Sequence, residues 1–174
     1  PIAQGQPIYV ATAGGPGACK STILETYLAD KTNFVYTDPD AQALRSMINT
    51  YYQSRTYYKI SLVKNFKDLQ KQAYTQWRDA SNYIATTILN DAATGHYNIA
   101  HGTTSTNPVL HLLYQGLKKR NYKIILLLCY ASDQTRVQTL DYRAAVKGFL
   151  QEAAEDVISK GKAFPEKFST YFEY

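Results

Sequence analysis

The sequence predicts an α/β protein, a mostly parallel central sheet with a layer of helices on each face. Three observations lead there. The short apolar run Ile8-Tyr9-Val10-Ala11 is followed by a glycine-rich turn and then by a segment with helical spacing. Strand-like and helix-like segments go on alternating along the chain, the pattern of a parallel sheet covered on both sides. The run from Ile124 to Cys129 has the length and composition of a buried strand.

The elements follow in order. Ile8 to Ala11 is the first strand. After the turn, Ile23, Leu24, Tyr27 and Leu28 fall on one face of a helix starting at Ser21. Asn33 to Thr37 reads as a second strand, ending at Asp38-Pro39-Asp40, and a polar helix is expected over Ala41 to Thr50. Tyr51, Tyr52, Tyr57 and Tyr58 bracket a basic patch with Arg55 and Lys59. A long amphipathic helix is expected from Lys67 to Ala93, with Leu69, Ala73, Trp77, Ala80, Ile84 and Ile88 on its apolar face. Tyr97 to Ala100 is the third strand, and the loop 101–106 follows it. Asn107 caps the next helix and Pro108 begins it. Lys123 to Tyr130 is the clearest buried strand, and Ser132-Asp133 start a last helix running towards Lys160.

A chain of 174 residues suits one domain with a substantial core, expected over 1–174. Pro1 is not expected to be the native start, and the stop at Tyr174 leaves the alternative that the chain is a piece of a longer protein. No run approaches the roughly 18 apolar residues of a membrane span, and no signal peptide is visible. Two cysteines make a poor disulfide framework and suit a reducing, cytoplasmic compartment, with delivery into another cell left open. The net charge is +5, but the cations are scattered. Lys118-Lys119-Arg120 sits at a helix end, where cations suit the dipole. No nucleic-acid or membrane partner is expected; a modest positive field suits a small anionic substrate.

The turn after the first strand carries the chemistry. Gly14-Gly15-Pro16-Gly17-Ala18-Cys19-Lys20-Ser21-Thr22 is one residue away from G-x-x-x-x-G-K-[ST], with Cys19 in place of the second glycine. Such a loop binds phosphate because consecutive backbone N–H groups point into one concavity at a helix start. The lysine reaches the β/γ-phosphates of ATP, and the next hydroxyl helps hold Mg²⁺. The bland alternative is a glycine-rich loop that happens to contain lysine. Cys19 carries a Cβ, so its cost depends on whether its φ is positive. Oxidation of Cys19 would block the loop; a tolerated small residue is the simpler reading.

Open α/β sheets bind ligands at the C-terminal ends of their strands. Asp38 and Asp40 follow the second strand, Gly102-Thr103-Thr104 the third, and Arg136 and Arg143 the fourth. Phosphoryl transfer needs such parts. Asp40 takes a proton from a substrate hydroxyl or anchors Mg²⁺ through water, or else is structural. Asp38 serves the substrate or caps the helix at Pro39. His96, His101 and His111 lack metal spacing; His101 alone is a candidate for substrate contact.

Taken together, the phosphate loop, Thr37-Asp38-Pro39-Asp40 with Arg45, Asn98-Ile99-Ala100-His101-Gly102-Thr103 and Lys160-Gly161-Lys162-Ala163-Phe164-Pro165 resemble the zeta-toxin family of P-loop kinases. The resemblance implies a three-layer P-loop kinase fold. It implies transfer of the ATP γ-phosphate, with Mg²⁺, to a sugar hydroxyl of a UDP-N-acetylhexosamine, and control by a small antitoxin protein. It makes Asp40 the base, Lys20 the phosphate lysine and Ser21 the metal-side hydroxyl. Arg143 would contact ATP phosphates, with Arg136 as the alternative. Gly14, Gly15, Gly17, Ala18, Cys19, Thr22 and Lys162 complete the nucleotide side; Asp38, Arg45, His101, Thr103 and Thr104 form the acceptor side. The tyrosines of 51–58 would stack on a uracil or sugar ring, or pack on a lid. His101 replaces a common acidic residue, Ser105 a frequent arginine, and Lys162 an arginine, losing its bidentate fork. Two other readings stand beside this one: a nucleotide-binding pseudokinase or interaction module, and a kinase for another small hydroxyl compound.

Overall fold

A computed structural model of the chain describes residues 5–40, 66–107, 109–147 and 157–162. Arg45, the helix expected over 41–50, the tyrosine-rich patch of 51–59 and Pro108 lie outside the described residues. Four strands, β1 (Ile8–Ala13), β2 (Phe34–Thr37), β3 (Asn98–His101) and β4 (Lys123–Leu128), form one sheet in the order β2-β3-β1-β4. Every neighbouring pair is parallel, with Tyr9 opposite both Ile99 and Ile124. The helices are α1 (Lys20–Leu28), α2 (Phe66–Thr94), α3 (Leu110–Lys119) and α4 (Asp133–Lys147). Residues 157–162 are also helical.

Side chains of a strand alternate between its two faces, and β1 uses both. Tyr9 and Ala11 join Ile99, Leu89, Ala92, Ala93, Tyr114 and Leu117 under α2 and α3. Val10 and Ala100 join Leu24 under α1, with Tyr27 and Leu28 packed against them. Tyr9 through Ala13 are fully buried, which is why β1 reads as an unbroken apolar run with one threonine. Each large side chain so buried contributes on the order of 1.5–3 kcal/mol. The three-layer α/β architecture is the expected one.

Several details are corrected. The strand read as Lys123 to Tyr130 ends at Leu128 and stands at the sheet edge among the described residues; Leu128 is 43% exposed. The deep position belongs to β1. Ile23, placed on the inner face of α1, is 37% exposed, and only Leu24 is fully buried there. The period of α2 was right and its phase was not. The buried stripe is Ser81, Ala85, Leu89, Ala92 and Ala93, one residue on from the Ala80, Ile84 and Ile88 stripe. Asn107 accepts the Val109 N–H at 3.1 Å as expected of a cap, but α3 begins at Leu110. Ser132 does cap α4, its Oγ accepting the Thr135 N–H at 3.2 Å. No described helix is long and apolar enough to cross a membrane.

Candidate active site at the phosphate loop

β1 delivers the loop to the C-terminal edge of the sheet, and backbone bonds shape it. The Gly14 N–H donates to the Thr104 carbonyl at 3.1 Å, and the Ala18 N–H to the Gly15 carbonyl at 3.3 Å. Gly17 has φ +79°, and a Cβ there would collide with the Arg136 carbonyl. Cys19 precedes α1 at φ 52°, ψ 29°, the left-handed region, so this position does carry the strain that the missing glycine would avoid.

The Lys20 ammonium donates to the Gly15 carbonyl at 2.8 Å, across the mouth of the loop. Burial holds it below its usual pKa; the Cys129, Asp40 and Asp38 acids raise it and Arg143 lowers it. Groups that follow β2 and β4 therefore act on an ammonium that follows β1. The Cys129 thiol beneath the loop is pushed up by burial. Ser21 is half-buried one residue into α1, and Thr22 is exposed.

After β2, Asp38 Oδ1 accepts the Asp40 N–H at 2.8 Å while the Tyr36 hydroxyl donates to Oδ2 at 3.1 Å. This is the capping geometry that the sequence left as one of two readings. The Asp40 carboxylate pairs with Arg78 of α2, and Ser81 Oγ donates to the Pro39 carbonyl. Neither Arg78 nor Ser81 was found from the sequence. Polar residues of a long helix carry no spacing that links them to residues 39 and 40.

After β3, the His101 Nδ1 and the Tyr9 hydroxyl share a 2.7 Å hydrogen bond, and burial takes the imidazole down to about 4, so it is neutral near pH 7. Thr12 Oγ1 donates to the Thr103 carbonyl at 2.7 Å and accepts the Thr103 N–H at 3.1 Å. Thr104 Oγ1 lies 2.9 Å from Thr106 Oγ1. Ser105 is fully buried at φ 55° and donates to the Thr12 carbonyl at 2.8 Å. Its side chain is part of the scaffold under the loop.

After β4, a cleft of ≈ 320 Å³ is lined by Gly15, Cys129, Ser132, Arg136, Gly161 and Lys162, among others. Arg136 is 3% exposed there, Arg143 is half-buried and Lys162 exposed. Of the expected site residues other than Arg45, most thus stand at or just beyond the C-terminal ends of the strands, whereas the His101 ring is turned to Tyr9 in the core and Thr22 is exposed on α1. Gly14 packs against the end of β4, where a Cβ would strike the Cys129 carbonyl. The N–H groups of Gly15, Gly17 and Cys19 at a helix start, with the Lys20 ammonium, are the kind of donors that suit a polyphosphate. Mg²⁺ commonly takes one or two side-chain ligands and fills the rest with water and phosphate oxygens. Ser21 directly and Asp40 through water suit that. No group of three or more His, Cys, Asp or Glu suited to a metal stands among the described residues.

The family model described as "Zeta toxin" matches residues 2–163. No curated protein sequence matches the chain. Among solved structures, the chain is similar to one in the Pnkp1/Rnl/Hen1 RNA repair complex, at 12% identity and TM-score 0.65, over 97% of this chain and 47% of that one. It is also similar to one from the PezAT chromosomal toxin-antitoxin system of Streptococcus pneumoniae, at 17% identity and TM-score 0.62, over 92% of this chain and 63% of that one. The chain thus spans about half of the first structure and under two thirds of the second. At such identities the likeness is one of fold.

Proposed function

The chain belongs to the zeta toxin family, and on that premise we propose that it is a kinase transferring the γ-phosphate of ATP to a hydroxyl of a UDP-N-acetyl sugar. The observation that carries this reading is the Lys20 ammonium, seated on the glycine loop within the fields of Asp40, Asp38 and Arg143. The backbone N–H groups of Gly15, Gly17 and Cys19, with Lys20, would hold the phosphates, and Ser21 the metal side; the Gly14 and Ala18 amides are already used in shaping the loop. Mg²⁺, when bound, supplies charge neutralisation at the β- and γ-oxygens. Asp40 takes the proton of the acceptor hydroxyl as the new O–P bond forms and the bond from the γ-phosphorus to the ADP oxygen breaks. Arg143 and Lys162 offset the charge that builds up. Asp38, Arg45, His101, Thr103 and Thr104 are assigned to the acceptor.

Likeness to a protein of a toxin-antitoxin system supports a small antitoxin as partner. The two free thiols suit a reducing cytoplasm. The strained Cys19 and the Arg78–Asp40 pair favour a second reading, a nucleotide-binding module without turnover.

The test is calorimetric titration with a non-hydrolysable ATP analogue and Mg²⁺, beside Lys20→Ala, followed by an acceptor screen. Binding lost in the variant, with product only from UDP-sugars, is expected. No binding to folded protein sinks both readings. Binding without product across UDP-sugars and nucleosides leaves the second.

A further inference from the structure

Arg136, at the start of α4, is the one charged side chain under 9% exposed among the described residues. Its guanidinium lies where three distant segments meet. Nη1 donates to the Pro16 carbonyl of the phosphate loop at 3.3 Å and to the Val157 carbonyl at 2.8 Å. Nη2 pairs with Asp133, one helical turn back, at 2.5 Å. A Cβ on Gly15 would come within 2.7 Å of Nη1, and one on Gly161 would run into Nη2. Both the phosphate loop and the 157–162 segment are shaped around this group.

A guanidinium carries five donors in a rigid plane, so it can hold carbonyls of two segments at a fixed angle; an ammonium is a point charge on a flexible stem. Burying a charge is costly unless it is paired and hydrogen-bonded, and here Asp133 and two carbonyls do both.

We infer that Arg136 is a positioning residue: it joins the phosphate loop and the 157–162 segment into one unit, and so brings Lys162 to the cleft that Gly15 lines. Arg136 acts on a bound nucleotide through the loop it holds. The consequence for nucleotide binding rests on the kinase reading, whereas the joining of the two segments does not.

Hydrogen exchange on the ligand-free chain tests it, following peptides that cover 14–19 and 157–162. In Arg136→Lys both peptides are expected to exchange at least about tenfold faster, while residues 98–119 keep the wild-type rate. Tyr142→Ala, on the exposed side of the same helix, leaves both peptides alone. Loosening of one segment only, of neither, or of the whole sheet equally overturns the inference. Should Arg136→Lys fail to fold, Gly161→Ala keeps the arginine but drives a methyl group against it. The same paired loosening is expected, and unchanged exchange in that variant overturns the idea. Calorimetry with the Mg²⁺–ATP analogue adds a second reading: affinity falls with the paired loosening in either variant. Unchanged affinity despite loosening overturns the nucleotide consequence. Wild-type protein that binds no analogue sinks the kinase reading, and the exchange data still decide the role of Arg136.

Discussion

Arg78, in the middle of α2, forms an ion pair with Asp40 at the turn after β2, and both side chains are 32% exposed. Three residues on, Ser81 holds the carbonyl of Pro39. A helix distant in sequence thus sets the position of the carboxylate proposed as the base.

That pair should matter more for geometry than for stability. Exposed and partly exposed ion pairs contribute about 0.2–1 kcal/mol. A double-mutant cycle with Asp40→Asn and Arg78→Gln, read by urea unfolding, should return a coupling in that range. Asp40→Asn alone should abolish transfer while the ATP analogue still binds, since the glycine loop and Lys20 stay in place. Turnover retained in Asp40→Asn removes it from the mechanism.

Cys19 sits in the left-handed region, where a Cβ costs roughly 1–2 kcal/mol and glycine's extra chain entropy takes back roughly 0.5–1. Cys19→Gly should therefore stabilise the protein by a fraction of a kcal/mol to about 1 kcal/mol in denaturant titration. A clear loss of stability would mean the thiol makes contacts that outweigh the strain.

His101 gives a pH dependence with a definite sign. Its folded value of about 4 lies below the ordinary 6.5, so the unfolded chain binds the proton more readily. The contribution is fully present above pH 6.5 and is lost as pH falls towards 4. The shift corresponds to roughly 3 kcal/mol as an upper bound. Unfolding curves between these limits should fall less steeply with acid for His101→Gln than for wild type. Parallel curves would show the imidazole titrating normally in the folded protein.

Thr12 is fully buried and its hydroxyl closes both the N–H and the carbonyl of Thr103. Thr12→Val keeps the shape but strands those groups, at a cost of about 1–3 kcal/mol. Thermal unfolding checks this, and an unchanged midpoint would mean that water takes over the hydroxyl's part.

Much of the fold was legible because periodicity and loop chemistry are local. The strand, glycine turn and helix around residues 8–28 could be read directly, as could the start of the last helix at Ser132-Asp133. What failed depends on partners far along the chain. The phase of α2 is set partly by Arg78 and Ser81 reaching the turn at 39–40, and polar residues in a long helix carry no mark of such a partner. β4 looked the clearest buried strand because it is the most apolar run, yet depth depends on place in the sheet, and among the described strands β1 and β3 lie inside while β4 lies at an edge. In the site, the residue types were visible at strand ends. The tethers of Thr12, Ser105 and Arg136 were not, because they join backbone to side chain across the sheet.

The bond from the Gly14 amide to the Thr104 carbonyl, with the Thr12 links, ties the phosphate loop to residues about ninety positions downstream. During synthesis the ribosome makes the whole loop sequence long before it makes β3. Until that strand emerges and pairs, the loop has only its own internal bonds, such as that from the Ala18 amide to the Gly15 carbonyl, to hold its shape. Contacts of such separation form late, after much chain entropy has been lost. A truncated product ending before residue 98 would carry the signature of a phosphate site without the anchor that fixes it to the sheet.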